Sequence, residues 1–531
     1  MPHNKAIKSN LRIKSLFSTS INNLIMTIVL NGDSLTIEKL VDVARNRESV
    51  KVSDNSWNKI DACRKMLQNK IDAHEVMYGI TTGIGEFSEV TLTPEQTQEF
   101  QKLLVRNHAA GIGDPMDIEL VRGAMCGRIN VHAKGHSGGR KIITEYLEKV
   151  LNNNITPVVC EKGSVGASGD LAPMSQIALA LMGEGEMFVE DEIINSKIAL
   201  KNIGLEPLNL EARDGLALIN GSNVLTALAA LILHDAERWM KMHDIAAAMT
   251  LEALKANMKP YDERIHILRG FSGSQQIASN LNLLTEGSEI LFSGEKKVQD
   301  AYSMRSTPQV AGTLRDSLKF ARTQVETELN GVGDNPIFLT KEKEVMTGAN
   351  FQGTPVALPM EMVGTGLSMV AVLSERRLNR LTNPALSVGL PPFLTEKPGL
   401  HSGMMLSQYT ADALIVESKI LSHPAANQSI PAAADQEDFV SMGLTTCQKV
   451  KQIMDNCFAV LGIEMMAAAQ ALDIRGKGLG KGTGKAHEII RKHVDYLDED
   501  RPLYKDHNTM RTLLESNEIL EGVEAYVGKL N

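Results

Sequence analysis

From Asn220 onward the chain turns rich in Ala, Leu, Met and Glu, the strong helix formers, and runs for long stretches without proline. Leu225, Leu228, Ile232, Ala236 and Trp239 recur at steps of three and four. The segments "SQYTADALIVESKILS" and "NCFAVLGIEMMAAAQALDI" carry apolar residues around most of a helical circumference. A surface helix needs one apolar stripe, whereas a helix apolar all round must be covered on every side. The pattern predicts a mainly α fold, a large bundle of long buried helices, or an oligomer whose subunits cover one another.

Before Asn220 the helical pieces are shorter and broken by glycine turns, "YGITTGIGEF", "AAGIGDP" and "GHSGG", where functional loops are expected. The expected division is a loop-rich N-terminal part over 26–220, a central helical bundle over 221–475 and a charged helical tail over 476–531. The stretch "RGKGLGKGTGK", Arg475 to Lys485, marks the last boundary as a flexible basic linker. Residues 1–25 carry Lys5, Lys8, Arg12 and Lys14 with several Ser and Asn and no acid before Asp33. That composition suits a transit-like leader. The preferred reading is an extension upstream of Met26, where "MTIVLNGDSLTIEKLVDVAR" opens as strand then helix.

A formal charge of −9 with mixed signs gives no basic footprint for nucleic acid. The five cysteines are odd in number, scattered and without a C-x-x-C pair, which places the chain in a reducing compartment and points to the cytosol. No membrane role is expected, since the longest apolar run, Val224 to Leu233, is ten residues and reads as a buried helix.

Three motifs invite chemistry and fit it poorly. In "RGKGLGKGTGK" the glycines and Lys485 miss the phosphate-loop register by one residue, and Ala486 stands where a hydroxyl is needed. "GHSGG" matches the nucleophile elbow of serine hydrolases at Ser137, an alternative from another reaction class, but the preceding "IELVRGAMCGRINVHAKG" has helical rather than strand periodicity. "HEIIRKH" spaces His487 and His493 too widely to share a helix face as zinc ligands do, so no metal is implied.

"CEKGSVGASGDLAPMSQ", Cys160 to Gln176, is different. Its residues are small where they could become a cofactor. If the Gly169 amide nitrogen attacks the Ala167 carbonyl carbon and two waters leave, the backbone closes into a 4-methylideneimidazol-5-one, with Ser168 converted to a dehydroalanine. Gly169 has no Cβ to obstruct the approach, Ala167 is small, and Ser168 carries the hydroxyl that is lost. Gly163 and Gly166 permit the compressed backbone.

"GSVGASGDLAPMSQIALALMGEGE" resembles the signature of the aromatic amino acid ammonia-lyases: histidine, phenylalanine and tyrosine ammonia-lyases and related aminomutases. The resemblance runs from Met26 through nearly the whole chain. It continues in "YGITTGIGEF", "LLVRNHAAGIGDP", "GLALINGS", "VQDAYSMRSTPQV", "NGVGDNPIF", "GANFQGTP", "LPPFLTEKPGLHSG" and "ADQEDFVSMG", in family order. It implies a homotetramer with sites shared between subunits, a small-molecule amino acid substrate and no external cofactor beyond the ring made from Ala167, Ser168 and Gly169. Tyr78 then matches the tyrosine whose phenolate takes the β-proton, given positive groups that lower its pKa. Arg305 matches the arginine that grips the substrate carboxylate through a planar fork. Asn220, Asn335, Gln299 and Tyr302 match polar residues around the ring and the substrate.

Two positions bear on the substrate. His108, after Asn107 in "VRNHAAG", and Glu437 in "DQEDFVSM" resemble histidine ammonia-lyases most, as does "LPPFLTEKPGLHSGMM". The resemblance therefore favours conversion of L-histidine to trans-urocanate. Three departures keep tyrosine or phenylalanine ammonia-lyases and 2,3-aminomutases as alternatives: Phe439 where histidine enzymes have His, Asn107 in place of the usual Ser, and "NFQGTP" around Gln352.

Overall fold

A computed structural model describes residues 27–190, 192–476 and 478–531; the leader over 1–25 lies outside them. The expected strand and helix are present at Ile28–Leu30 and Ile37–Ala44, and the Thr36 cap of the helix accepts a hydrogen bond from the Lys39 amide. Among the described residues the strands form four small sheets of two or three strands.

Eight helices build the bundle and frame the site: α1 (Pro94–His108), α2 (Ile118–Ala133), α3 (Leu171–Leu181), α4 (Asn223–Ala253), α5 (Thr307–Leu329), α6 (Thr354–Thr382), α7 (Met405–Leu421) and α8 (Gly443–Arg475). The bundle centres on α4, of 31 residues, and α8, of 33. Helix α8 packs along α4, α6 and α7, while α5 packs on α4 and α6. Every residue of α8 from Val460 to Leu472 is buried, as an all-round apolar helix requires. Polar clamps fix the packing angle. The buried Glu464 of α8 accepts both arms of Arg377 from α6, at 2.6 and 2.8 Å, and the Thr250 hydroxyl from α4 at 2.8 Å. Removing Arg377 alone would strand that carboxylate, at a cost of about 3–5 kcal/mol.

Two findings depart from the sequence reading. First, α6 and α8 are long and apolar enough to cross a membrane by length and composition, although no uninterrupted apolar run reaches that length. In their most apolar windows 61% and 83% of residues are buried inside the protein, as in core helices. Second, "RGKGLGKGTGK" is not a flexible linker. The Gly480 amide donates to buried Glu252 at 2.7 Å and starts a helix at Lys481–Arg491. A Cβ on Gly480 would lie 2.9 Å from the Thr285 Cα, and one on Gly482 2.6 Å from the Leu284 side chain. These glycines serve close packing.

Candidate active site

The Ala-Ser-Gly segment is a tight turn between the strand Cys160–Lys162 and α3. Gly163, Gly166 and Gly169 have φ of +139°, +75° and +79°, a region that L-residues with side chains rarely enter. Gly169 lies flat against Gly221: the Gly221 amide donates to the Ser168 carbonyl at 3.3 Å, and the Asp170 amide donates to the Gly221 carbonyl at 2.9 Å. A Cβ on Gly169 would overlap that carbonyl, and one on Gly166 would overlap the Ser441 hydroxyl. On its other side the turn is held by the Met442 amide, which donates to the Val165 carbonyl at 3.0 Å. Asp170 anchors it to the start of α4, accepting from the Leu225 amide at 2.7 Å and the Ser164 hydroxyl at 2.8 Å. Burial pushes the Asp170 carboxyl up to about 6 against those hydrogen bonds.

Around Ser168 the fold gathers most of the residues expected there. The Ser168 hydroxyl donates to Glu437 Oε1 at 3.0 Å. Glu437 closes a turn with paired backbone bonds to Ala432, through Ala433, Ala434 and Asp435 at φ of 51°, 52° and 66°. Three consecutive non-glycine residues in that region are costly, so the surrounding contacts must hold the turn. Tyr78, half-buried, accepts a hydrogen bond from the Gly85 amide at 3.1 Å. Its phenol is held above its ordinary value, first by burial and then by the Glu437 charge, while the Gly85 hydrogen bond and Arg213 act the other way. The expectation of a lowered Tyr78 is thus corrected: within one chain, desolvation outweighs the nearby positive charge. His108, the last residue of α1, donates from Nδ1 to the Leu104 carbonyl at 2.9 Å, leaving Nε2 as the acceptor of a neutral ring. Burial pushes its pKa down; the Leu104 bond and Glu437 oppose this. Asn107 is exposed beside it. Asn220 is buried with no hydrogen-bond partner for its side-chain oxygen, and the Asn335 side-chain oxygen accepts from the Gly348 amide at 2.8 Å.

Gln299, Tyr302 and Arg305 form a separate group. Gln299 and Arg305 line a surface cavity of about 420 Å³ with Lys259, Arg269 and Gln309. The Arg305 guanidinium lies 4.5 Å over the Tyr302 ring, and Tyr302 is 70% exposed. Among the described residues, no hydrogen bond or ion pair joins this group to the Ser168 cluster.

The hydrolase alternative is overturned. Ser137 follows α2 rather than a strand and is buried. The neighbouring His132 has both ring nitrogens engaged, with Thr144 at 2.9 Å and the Ala217 carbonyl at 2.8 Å. His487 and His493 hold different acids, Asp473 and Glu518. Sequence reading missed Arg128 and Arg213, fully buried on either side of Asp334. Asp334 sits inside the quoted "NGVGDNPIF", but nothing in the sequence pairs it with two arginines.

Residues 35–492 match the aromatic amino acid lyase family. The chain belongs to that family. As an aromatic amino acid lyase it is a carbon–nitrogen lyase. It is 43% identical over 505 residues to the histidine ammonia-lyase of Alkaliphilus metalliredigens, covering 95% of this chain and 99% of the relative. Among solved structures, the histidine ammonia-lyase of Trypanosoma cruzi superposes with a TM-score of 0.88 at 34% identity, covering 94% of this chain and 96% of that one. The tyrosine aminomutase of Streptomyces globisporus superposes with a TM-score of 0.92 at 35% identity, covering 95% and 100%.

Proposed function

We propose that this aromatic amino acid lyase removes ammonia from L-histidine to give trans-urocanate, in the cytosol, as a homotetramer. The observation that carries the substrate is Glu437, a carboxylate 3.0 Å from the Ser168 hydroxyl whose charge also acts on His108 and Tyr78. An imidazole substrate suits a site where a carboxylate and a ring nitrogen acceptor both face it. The named histidine ammonia-lyase relatives, similar over nearly their whole length, support the same choice.

The Ala167-Ser168-Gly169 segment fits a backbone-derived ring, because the turn is already compressed and Gly169 has no room for a side chain. When formed, that ring supplies the electrophile that makes the substrate amine a leaving group. The other steps fall to side chains. Tyr78, as phenolate, takes the β-proton at its hydroxyl oxygen. Arg305 grips the carboxylate and fixes which face of the substrate meets Tyr78. Gln299 and Tyr302 line the Arg305 side, Asn220 and Asn335 the ring side, and His108, with Asn107 beside it, the substrate ring.

Among the described residues no hydrogen bond or ion pair joins Arg305 to the Ser168 group, which supports a site completed by neighbouring subunits. Exposed apolar residues along α6 (Leu358, Met362, Met369) and α7 (Leu406, Tyr409, Ile420) offer surface for that assembly. A second reading, a tyrosine lyase or aminomutase on the same scaffold, draws on Phe439, 58% exposed two residues beyond Glu437. Incubation with L-His, L-Tyr and L-Phe separates the readings by the absorbance of urocanate, coumarate or cinnamate. Urocanate alone is expected; coumarate or a β-amino acid without urocanate would replace the histidine assignment.

A further inference from the structure

Behind the Ser168 segment lies a buried group of charges that the proposed chemistry does not use. Arg128 of α2, Arg213 and Asp334 are each completely buried. Asp334 takes one arginine on each oxygen, Arg213 at 2.6 Å and Arg128 at 2.9 Å, so two positive charges share one negative charge. The remaining guanidinium donors go to backbone carbonyls. Arg128 donates to the Asn220 carbonyl at 2.6 Å and the Ala217 carbonyl at 2.7 Å. Arg213 donates to the Asn335 carbonyl at 2.9 Å, the Pro336 carbonyl at 3.2 Å and the Ser137 carbonyl at 2.7 Å. Asp334 also accepts from the Asn335 amide at 2.9 Å. The carbonyls of both site asparagines, far apart in sequence, are therefore held from behind by one ionic unit.

We propose that Arg213, through Asp334 and Arg128, is a positioning residue of the site, clamping the backbones of Asn220 and Asn335 so that both residues are set against the Ser168 turn. The inference rests on the reading of that turn as the reacting centre. The linkage is continuous. Arg128 fixes Asn220; the next residue, Gly221, bonds Ser168 and Asp170. Gly333, beside Asp334, is packed so closely on Gly221 that a Cβ there would lie 2.6 Å from the Gly333 carbonyl oxygen. Arg213 itself has φ of +77°, a left-handed arginine at the cap of the short helix Asp214–Ile219 that leads into Asn220. An arginine in that conformation, buried and with every guanidinium nitrogen hydrogen-bonded, is held there by its surroundings. Stability alone is a weak reason for such a unit, since buried ion pairs can be replaced by apolar side chains with little loss. Fixing the geometry of a reacting site is a reason that apolar packing cannot supply.

The test uses the full chain and two variants. Arg213→Lys keeps the charge but loses the fork. Phe338→Leu leaves the triad intact and removes the aromatic face that the Arg213 guanidinium lies over at 5.5 Å, a milder change that tests the same residue even if Arg213→Lys does not fold. For each, the ring's ultraviolet band, kcat, KM and Tm are measured on the amino acid that the parent turns over. The expected result is a retained ring band, KM within about twofold, and kcat lower by roughly 10- to 100-fold for Arg213→Lys and severalfold for Phe338→Leu. A lowered Tm with kcat unchanged in the folded variants, or a raised KM with kcat intact, would reduce the triad to a structural element and overturn the inference. A parent that shows no ring band and releases ammonia from none of the three amino acids would sink the functional reading itself, and the positioning role with it.

Discussion

The two groups of site residues are built differently. The Ser168 side is backed by the interior: a turn pinned on both flanks, carbonyls gripped by buried arginines, a carboxyl anchored at the start of α4. The Arg305 side lines a surface cavity, with Tyr302 largely exposed and the Arg305 Nε buried without a hydrogen-bond partner among the described residues. A single chain thus supplies a tightly held Ser168 turn and an open Arg305 group. On the proposed function, the contrast teaches that pre-organisation is concentrated at the proposed reacting turn, while the residues proposed to hold substrate lie at a surface that another subunit could complete.

The largest break in that contrast is Ser168→Ala. The chain should fold and assemble, yet lose the ring band, with ammonia release falling by more than about 10⁴-fold; a variant that kept the band would refute the ring. Next comes Tyr78→Phe, which should keep the band and lower kcat by about 10²–10⁴-fold. In the proposed mechanism the phenolate is the active form, and burial holds the phenol above its ordinary value near 10. Parent kcat/KM should therefore still be climbing at about pH 9, and a plateau at lower pH would assign the base elsewhere. On the surface side, Arg305→Ala should retain the band and lose about 1.5–3 kcal/mol of carboxylate binding, read as a raised KM. Co-expressing Ser168→Ala with Arg305→Ala should restore part of the activity, because some sites would combine an intact Ser168 with an intact Arg305. Hybrids as inactive as Ser168→Ala alone would place both groups in one subunit.

The smallest effect concerns the interior behind the cradle. Glu328 is pushed up to about 7, first by burial and then by Asp170. A carboxyl whose folded pKa is raised contributes stability below its unfolded value, near 4.3, and loses it as pH rises through about 7. Glu328→Gln should therefore gain about 1–3 kcal/mol at pH 9 and almost nothing at pH 4, read as a Tm difference. Equal shifts at both pH values would mean that Glu328 does not titrate there.

Much of this was legible in the sequence because it rests on pattern. The all-round apolar run in α8 and the small residues at 163–169 each require one physical outcome, burial on all sides and close backbone approach. What could not be read depends on partners distant along the chain. The glycines at 480 and 482 look like those of a flexible linker, and only the position of Leu284 and Thr285 reveals them as contact points. Arg128 and Arg213 look like surface charges until Asp334 is placed between them. Tyr78 carries no sequence mark of its burial, so the direction of its shift had to come from the fold. Ser137 shows the reverse case: a literal motif match that fails because the preceding segment is a helix.

Helices α6 and α8 cover one another, and each is apolar enough to pass for a membrane span when considered alone. During synthesis α6 is complete about 60 residues before α8 begins, roughly 3–12 s at ordinary elongation rates. Through that interval its partner face is bare. A chain interrupted before Gly443 would keep the α8-facing side of α6 permanently uncovered, and such fragments should aggregate or adhere to lipid rather than persist as partial folds. For this protein, finishing the chain and hiding its most apolar surfaces are one requirement.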